Sequence, residues 1–317
     1  MAIDQRIIVT EPIAKEAIQW LSQRAIGQQI DVSDPGFDNA ITQATGLIVR
    51  TYTDVDRHLL TRGRRLRVVG RAGTGLDNID IEACHECGIK VVNTPDANRQ
   101  AVVEYVTSII ATFFRALPPR IDQVHTEEQW VTARHAAIAP KQMSESTLGI
   151  LGLGAIGKRV AAVASAIGFT VQYYDVKQIA PASRHGAHPV DFETVLSTSD
   201  ALTVHVDGRS SNTHLLNAGN LPSLLPTALL INTARGLVID STALAETLCA
   251  TPGITAVLDV HEQEPILETN PLMGLPNAQL FPHAASRTAA AQRAMSWVVR
   301  DVWNVLDGDS SDCLTTS

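Results

Sequence analysis

The sequence predicts an α/β protein made of two parallel-sheet domains. Three observations carry that expectation. Short apolar runs that read as buried strands alternate with helical segments along most of the chain, the pattern of βαβ units. A chain of 317 residues suits two domains at roughly 150 residues each. Near the middle, Thr147 to Lys158 reads as strand, glycine-rich turn and helix start, and a second series of strands follows it.

Taken in order, Arg6 to Val9 is a short apolar run, and Ile13, Ala17, Ile18 and Leu21 have helical spacing. Gly46 to Val49 reads as a buried strand that ends at Arg50-Thr51-Tyr52-Thr53. Polar residues at the carboxyl end of such a strand suit a ligand site, although a plain loop fits as well. Leu66 to Gly70 is the next strand and runs into Arg71-Ala72-Gly73-Thr74-Gly75. Ile81 to Cys87 reads as a helix stopped by Gly88, and Ile89 to Asn93 as a strand stopped by Thr94-Pro95. A long helix is expected from Gln100 to Leu117, ended by Pro118-Pro119. Its nearly continuous apolar positions, from Val102 to Phe114, predict burial between domains. Residues 122–146 show little periodicity and read as a wrapping loop. Such a loop either meets a second subunit, which makes a homodimer the expected assembly, or covers its own chain.

The central stretch is the most specific signal. Gly152, Gly154 and Gly157 fit G-x-G-x-x-G. In such a turn the first glycine takes the tight bend, the second admits a pyrophosphate, and the third lets helix and strand pack closely. The helix N-terminus offers free N–H groups and a positive dipole end to the phosphates. The helix continues to Ile167, Gly168 stops it, and the strand Thr170 to Tyr174 ends at Asp175. That carboxylate can accept both hydroxyls of an adenosine ribose and would repel a 2′-phosphate, while Val176 brings no cation. The expected cofactor is therefore NAD rather than NADP.

Strands are then expected at 201–206, 228–233, 254–260 and 278–281, with a closing helix from Thr288 to Leu306 and a polar tail. Their ends carry His205, Arg235, Asp259 and His283. An arginine can hold a carboxylate by two parallel hydrogen bonds. A histidine can take a proton from a hydroxyl and return it in the reverse direction. Glu264 could hydrogen-bond the far ring nitrogen of His283, raising its basicity and fixing its tautomer.

Composition narrows the function classes. A formal charge of −8 argues against a nucleic-acid partner. No apolar run long enough for a membrane span occurs, and the start lacks a signal-peptide pattern, so a cytoplasmic address is expected. Cys84-His85-Glu86-Cys87 has C-x-x-C spacing without a second ligand pair, so no metal is expected.

The motifs at Gly152 to Gly157, Asn232-Thr233-Ala234-Arg235-Gly236, Asp259-Val260 through Glu264-Pro265, and Pro282-His283 together resemble the NAD-dependent D-isomer-specific 2-hydroxyacid dehydrogenases. The resemblance runs from about Leu47 to Thr288. It implies two Rossmann-like or flavodoxin-like domains with a cleft between them that closes on binding. A discontinuous substrate domain would span 1–98 plus 285–317, and the NAD-binding domain 99–284. It implies Arg235 as the carboxylate clamp, His283 as general acid/base and Glu264 as its partner. The implied cofactor set is Gly152, Gly154, Ala155, Ile156, Gly157, Asp175, His205, Thr233, Ala234, Asp259, His283 and Ala285. The motifs around Arg50, Arg71 and Asn93-Thr94-Pro95 resemble the phosphoglycerate dehydrogenase branch. The substrate set implied there is Arg50, Arg71, Gly73 and Arg235, and the substrate a 3-phosphoglycerate-like D-2-hydroxy acid. The alternatives are a specialised 2-hydroxy acid or phosphonate dehydrogenase and a non-enzymatic NAD-sensing protein. Val103, the lack of a proline in Val206 to Thr213, and Ala285 depart from the usual family pattern.

Overall fold

Alternating apolar runs and short amphipathic helices build the first unit. They are β1 (Arg6–Val9), α1 (Lys15–Ser22), β2 (Ile26–Gln29), α2 (Phe37–Gln43), β3 (Gly46–Val49), α3 (Arg57–Arg62), β4 (Val68–Arg71), α4 (Ile81–Glu86) and β5 (Lys90–Asn93). The computed structural model describes residues 5–117 and 125–308. Pro118-Pro119, the beginning of the 122–146 stretch and the polar tail with Cys313 lie outside the described residues. The five strands pair in parallel in the order β2-β1-β3-β4-β5. Strand order reverses between β1 and β3, so the chain leaves their carboxyl ends toward opposite sides. That divergence opens a crevice in sheets of this kind. β2, α2 and α3 had no clear sequence signal. β2 is an exposed edge strand of sequence Ile-Gly-Gln-Gln, and the two helices are only seven and six residues long.

The chain then enters α5 (Arg99–Phe114), which ends before the expected Leu117. Val102, Val103, Val106 and Ile110 face the second core, whereas Glu104, Ser108 and Thr112 are exposed. The 122–146 stretch is not all loop. It contains α6 (Glu127–Ala136), opened by a capping box of Thr126 and Gln129. The T-x-x-Q signature was visible in the sequence, but none of the helix's residues is buried, so it has no apolar stripe to detect.

The second unit continues through β6 (Thr147–Leu151), α7 (Ala155–Ala166), β7 (Thr170–Tyr174), β8 (His188–Pro189), α8 (Phe192–Ser197), β9 (Ala201–Val204), β10 (Leu229–Asn232), α9 (Ser241–Ala250), β11 (Thr255–Leu258) and β12 (Ala278–Leu280). Its seven parallel strands run in the order β12-β11-β10-β9-β6-β7-β8. The reversal falls between β6 and β9, the doubly wound arrangement in which a dinucleotide sits at the switch point. β6, β9 and β10 are buried almost throughout because helices cover both faces of a central parallel sheet.

The closing helix is two helices, α10 (Ala289–Ser296) and α11 (Val298–Asp307), rather than one. At Trp297 the backbone N–H turns back to Ala294 O at 3.1 Å, and the ring meets Trp20 edge-on with centroids 6.4 Å apart. Val298, Val299 and Val302 pack with Ile7, Ile48, Val68 and Val92 of the first sheet. By contact the chain divides into Met1–Ala101 with Ser286–Ser317, and Val102–Ala285. Those boundaries lie at 101/102 and 285/286, where the sequence places them at 98/99 and 284/285. Among the described residues, no helix is long and apolar enough to cross a membrane.

Candidate functional site

The glycine turn follows β6 at the switch point of the seven-stranded sheet. Gly152 has φ +90°, and a Cβ there would lie 2.9 Å from the His205 backbone carbon and oxygen. Only glycine lets the turn after β6 pass the end of β9 this closely. A Cβ on Gly157 would collide with the Gly152 carbonyl oxygen, so the third glycine is what lets α7 lean on the turn. Gly154 differs. Its Cβ would meet nothing within 4 Å, so the protein's own packing leaves that side open. Gly154 is the N-cap of the twelve-residue α7 and supplies no side-chain cap. The N–H groups of the first turn, at Ala155 and Ile156, therefore suit an external anion.

Other residues of the expected cofactor set line the neighbouring strand ends. The Asp175 carboxylate accepts Leu153 N–H and Lys177 N–H, each at 2.8 Å, which fixes its orientation after β7. Arg209 feels the Asp175 charge, yet its guanidinium is held by Asp207, with Nε to Oδ1 at 2.6 Å. Burial pushes the His205 imidazole down to about 4, so it is neutral at pH 7; its Nε2 lies 3.0 Å from Thr203 Oγ1. The Thr233 hydroxyl oxygen is buried and has no hydrogen-bond partner. A buried hydroxyl without a partner costs stability unless a ligand group completes it. With the open side of Gly154, this orphan makes the second unit fit a bound dinucleotide.

The surroundings of the His283–Glu264 pair are built from β11 and β12. Parallel pairing aligns Leu258 with Leu280, and this brings Asp259 beside the Phe281-Pro282-His283 segment. His283 has φ +53°, a left-handed backbone that costs on the order of 1 kcal/mol outside glycine. Three hydrogen bonds hold it there. His283 N–H donates to Asp259 O at 2.9 Å, and the Asp259 carboxylate accepts Ala284 N–H at 2.7 Å and Ala285 N–H at 2.9 Å. Asp259 is 1% exposed, so its visible work is to clamp this turn. Tyr105 on α5 packs its ring edge-on to Phe281, centroids 6.3 Å apart. Its hydroxyl, pushed up to about 12 by burial and by the nearby carboxylate, hydrogen-bonds Asp259 as well.

His283 Nδ1 lies 2.8 Å from Glu264 Oε2. The carboxylate accepts, so Nδ1 carries the hydrogen and Nε2 is the nitrogen left to exchange a proton. Burial opposes ionisation of Glu264. Hydrogen bonds from His283 and the His261 N–H, with the nearby histidine charges, outweigh it and hold the carboxyl below its ordinary value. A depressed carboxylate pairs at neutral pH, and the pairing is lost only as pH falls through the lowered value.

Arg235 follows β10. Asn232, 1% exposed, clasps the turn from both ends: its Nδ2 donates to Arg235 O at 2.9 Å and its Oδ1 accepts Ala234 N–H at 3.0 Å. Arg235 Nη1 also donates to Ala234 O at 2.6 Å. Ala234 and Ala285 are buried, at 7% and 5% exposure.

The other expected substrate residues lie in the first unit, at the ends of β3 and β4. The Glu11 carboxylate accepts N–H groups from Arg50, Thr51, Tyr52 and Thr53 at 2.9 to 3.2 Å, which pins the loop after β3 at that unit's switch point. The Arg50 guanidinium donates to Pro12 O at 2.9 Å and to the Gln292 side chain. The Arg71 guanidinium fills the space that a Cβ on Gly73 would occupy, which explains that glycine. Cys84 is buried and its thiol is pushed up to about 12 by that burial, unlike a reactive or ligating thiol. No group of three metal-ligating side chains occurs among the described residues. Sequence reading missed Tyr105, Asn232 and His261 as builders of the second unit's site, and Glu11 as the clasp of the loop after β3 in the first. Asn232 and His261 stood inside quoted motifs, but nothing in their spacing disclosed a hydrogen-bonding task.

Comparison with known proteins gives the family. Residues 107–285 match the model of the D-isomer specific 2-hydroxyacid dehydrogenase, NAD binding domain. The chain is 31% identical over 307 residues to a D-3-phosphoglycerate dehydrogenase of Archaeoglobus fulgidus, covering 96% of this chain and 58% of that protein. It is 32% identical over 295 residues to a hydroxypyruvate reductase of Thermotoga maritima, covering 91% of this chain and 94% of that one. A solved NADPH-dependent glyoxylate/hydroxypyruvate reductase of Sinorhizobium meliloti, in complex with NADP and malonate, superposes with a TM-score of 0.82. Its sequence identity is 27%, over 99% of this chain and 97% of that one.

The glycine geometry has a direct test. Gly157→Ala should weaken NADH binding at least about tenfold and cost about 1–3 kcal/mol of stability through overpacking. Fluorescence titration and thermal unfolding measure the two effects. An alanine variant with wild-type affinity and midpoint would contradict the close packing of α7 on the turn.

Proposed function

Because the chain belongs to the D-isomer specific 2-hydroxyacid dehydrogenase family, we propose that it catalyses reversible hydride transfer between NAD(H) and a D-2-hydroxy acid or its 2-keto acid. The observation that carries this reading is the His283–Glu264 pair, 2.8 Å apart, at the carboxyl edge of a doubly wound sheet that also presents Arg235. Gly152, Gly154, Ala155, Ile156 and Gly157 would hold the pyrophosphate, Asp175 the adenosine ribose, and His205, Thr233, Ala234, Asp259 and Ala285 the rest of the NAD. When bound, the nicotinamide supplies the hydride in reduction and accepts it in oxidation. Arg235 pairs with the substrate carboxylate and fixes which face of the keto carbon is presented. His283, protonated, donates from Nε2 to the keto oxygen as negative charge develops there. Glu264 keeps Nδ1 protonated and stabilises the imidazolium between turnovers. In oxidation the neutral Nε2 takes the hydroxyl proton. Residues 102–285 are read as the cofactor domain and the remainder as the substrate domain.

A phosphorylated substrate of the 3-phosphoglycerate kind is supported by Arg50, Arg71 and Gly73 in two loops of the first unit. A second reading has a specific observation in its favour. The Arg50 guanidinium already donates to Pro12 O and Gln292, which suits a smaller acid that does not draw on it, such as hydroxypyruvate. Arg50→Ala distinguishes the two. It should raise KM at least about tenfold for a phosphohydroxy acid, since a charge-assisted contact is worth roughly 1.5–3 kcal/mol. KM for hydroxypyruvate should stay within twofold of wild type.

His283→Ala should lower kcat by about 10²–10⁴ with NADH affinity retained; unchanged turnover would overturn the acid/base assignment. Glu264→Gln removes the anion that orients Nδ1 and stabilises the imidazolium formed in turnover. It should lower kcat about tenfold or more, with NADH affinity within twofold of wild type, because misaiming a catalytic group is costly. An unchanged kcat would remove Glu264 from the mechanism.

A homodimer and a cytoplasmic setting belong to the same proposal. α6 is a ten-residue helix with no buried residue, and Trp130, Val131 and Ile138 are exposed by 46%, 45% and 73%. An isolated helix of that length is marginal in water, so a covering partner is needed, and a second copy of the chain is the simplest. Cys84, Cys87 and Cys249 are thiols, as a reducing compartment keeps them. Sedimentation velocity should give twice the chain mass for wild type and a monomer for Trp130→Asp; a monomeric wild type would refute the dimer.

A further inference from the structure

The exposed loop that carries Glu264 is held less by packing than by hydrogen bonds. Residues 262–265 are all exposed. On one side Glu262 accepts Ser241 N–H at 3.0 Å and His214 Nε2 at 2.6 Å, which ties the loop to the start of α9. On the side facing His283, two further ties run through His261. Its ring Nε2 lies 2.8 Å from the Phe281 carbonyl oxygen. A carbonyl can only accept, so His261 Nε2 carries the hydrogen in either protonation state. Its backbone N–H donates to Glu264 Oε1 at 3.0 Å, while Glu264 Oε2 takes His283 Nδ1.

These bonds close a ring. It passes from His283 to Glu264, from Glu264 to the His261 backbone, through the His261 ring to Phe281 O, and along the chain back to His283. The third functional turn touches the same residue. A Cβ on Gly236, next to Arg235, would collide with the His261 carbonyl carbon and oxygen, so the Arg235 turn rests directly on the His261 peptide. Glycine at 236 is what permits that approach.

We propose that His261 is a positioning residue that holds Arg235, Glu264 and His283 in one frame, its ring anchoring the Glu264 loop to Phe281 and its backbone orienting the Glu264 carboxylate. The proposal rests on the dehydrogenase reading for its kinetic consequence but not for its structural one. His261 touches none of the reacting atoms in that reading. It acts through Glu264: losing the ring bond lets the 261–264 loop drift from Phe281, and the carboxylate loses its aim at Nδ1. Partners of this kind change activity about 10- to 100-fold when removed, because small displacements of a catalytic group are costly. The Glu262 anchor remains, so the effect should fall at the lower end of that range.

The test compares His261→Phe, which keeps ring volume without a donor, His261→Ala, which removes the ring, and His261→Gln, whose amide nitrogen can reach the place of Nε2. For Phe and Ala, kcat should fall about tenfold, with keto acid KM and NADH affinity within twofold of wild type. His261→Gln should recover kcat to within twofold. A second readout needs no turnover. In histidine-labelled, ligand-free protein, the hydrogen-bonded Nδ1–H NMR resonance of His283 should be lost or weakened in the Phe and Ala variants, as in Glu264→Gln, and return in the Gln variant. The proposal is overturned if the Phe and Ala variants leave both kcat and the His283 Nδ1–H resonance unchanged. It is equally overturned if His261→Gln behaves like His261→Phe. Should wild type reduce no keto acid, the dehydrogenase reading fails, and the Nδ1–H resonance alone still decides the role of His261.

Discussion

The Asp259 carboxylate is the contact on which the geometry around His283 depends. Two backbone N–H groups, from Ala284 and Ala285, end on its two oxygens. Without them the left-handed turn at His283 would relax toward ordinary backbone, and the imidazole would leave Glu264. A carboxylate that is 1% exposed is costly to desolvate. Here charge-assisted bonds to main-chain donors offset the cost, and the Tyr105 hydroxyl adds another. Stability is thus invested in one backbone conformation, and that conformation aims one ring.

The same design recurs at the other turns. Asn232 clasps the Arg235 turn with both ends of its amide. Glu11 gathers four N–H groups after β3. In each case a side chain near a strand end satisfies the main chain of a loop that would otherwise depend on water. Loops carry function because the sheet beneath them is rigid, and these polar clasps extend that rigidity beyond the last strand residue. The glycines play the complementary part. Gly152, Gly157 and Gly236 allow backbone to lie on backbone where a methyl group would collide.

Legibility in the sequence followed burial. β3, β6, β9, β10 and β11 are buried strands with nearly continuous apolar runs, and each stands out. β2 and β8 are edge strands, the second of only two residues, and neither has such a run. α6 lacks an apolar stripe, none of its residues being buried among the described residues, and its capping box is the signal that discloses it. The closing helix reads as one because its apolar spacing continues across Trp297. The break falls at Trp297, whose ring packs on Trp20, far away in the chain.

For the site, the sequence by itself determined the glycine turn, the carboxylate at Asp175 after β7, and the residue types at the strand ends, Arg235, Glu264 and His283. Local periodicity and turn chemistry encode those positions, so they can be read one segment at a time. Only the tertiary structure decided what aims them. Asp259 reaches the 283–285 turn because β11 and β12 pair in a register that aligns Leu258 with Leu280. His261 meets Phe281 for the same reason, and Gly236 meets His261 because β10 lies beside β11. Such contacts depend on which strands become neighbours and in what register, and no spacing within one segment contains that information.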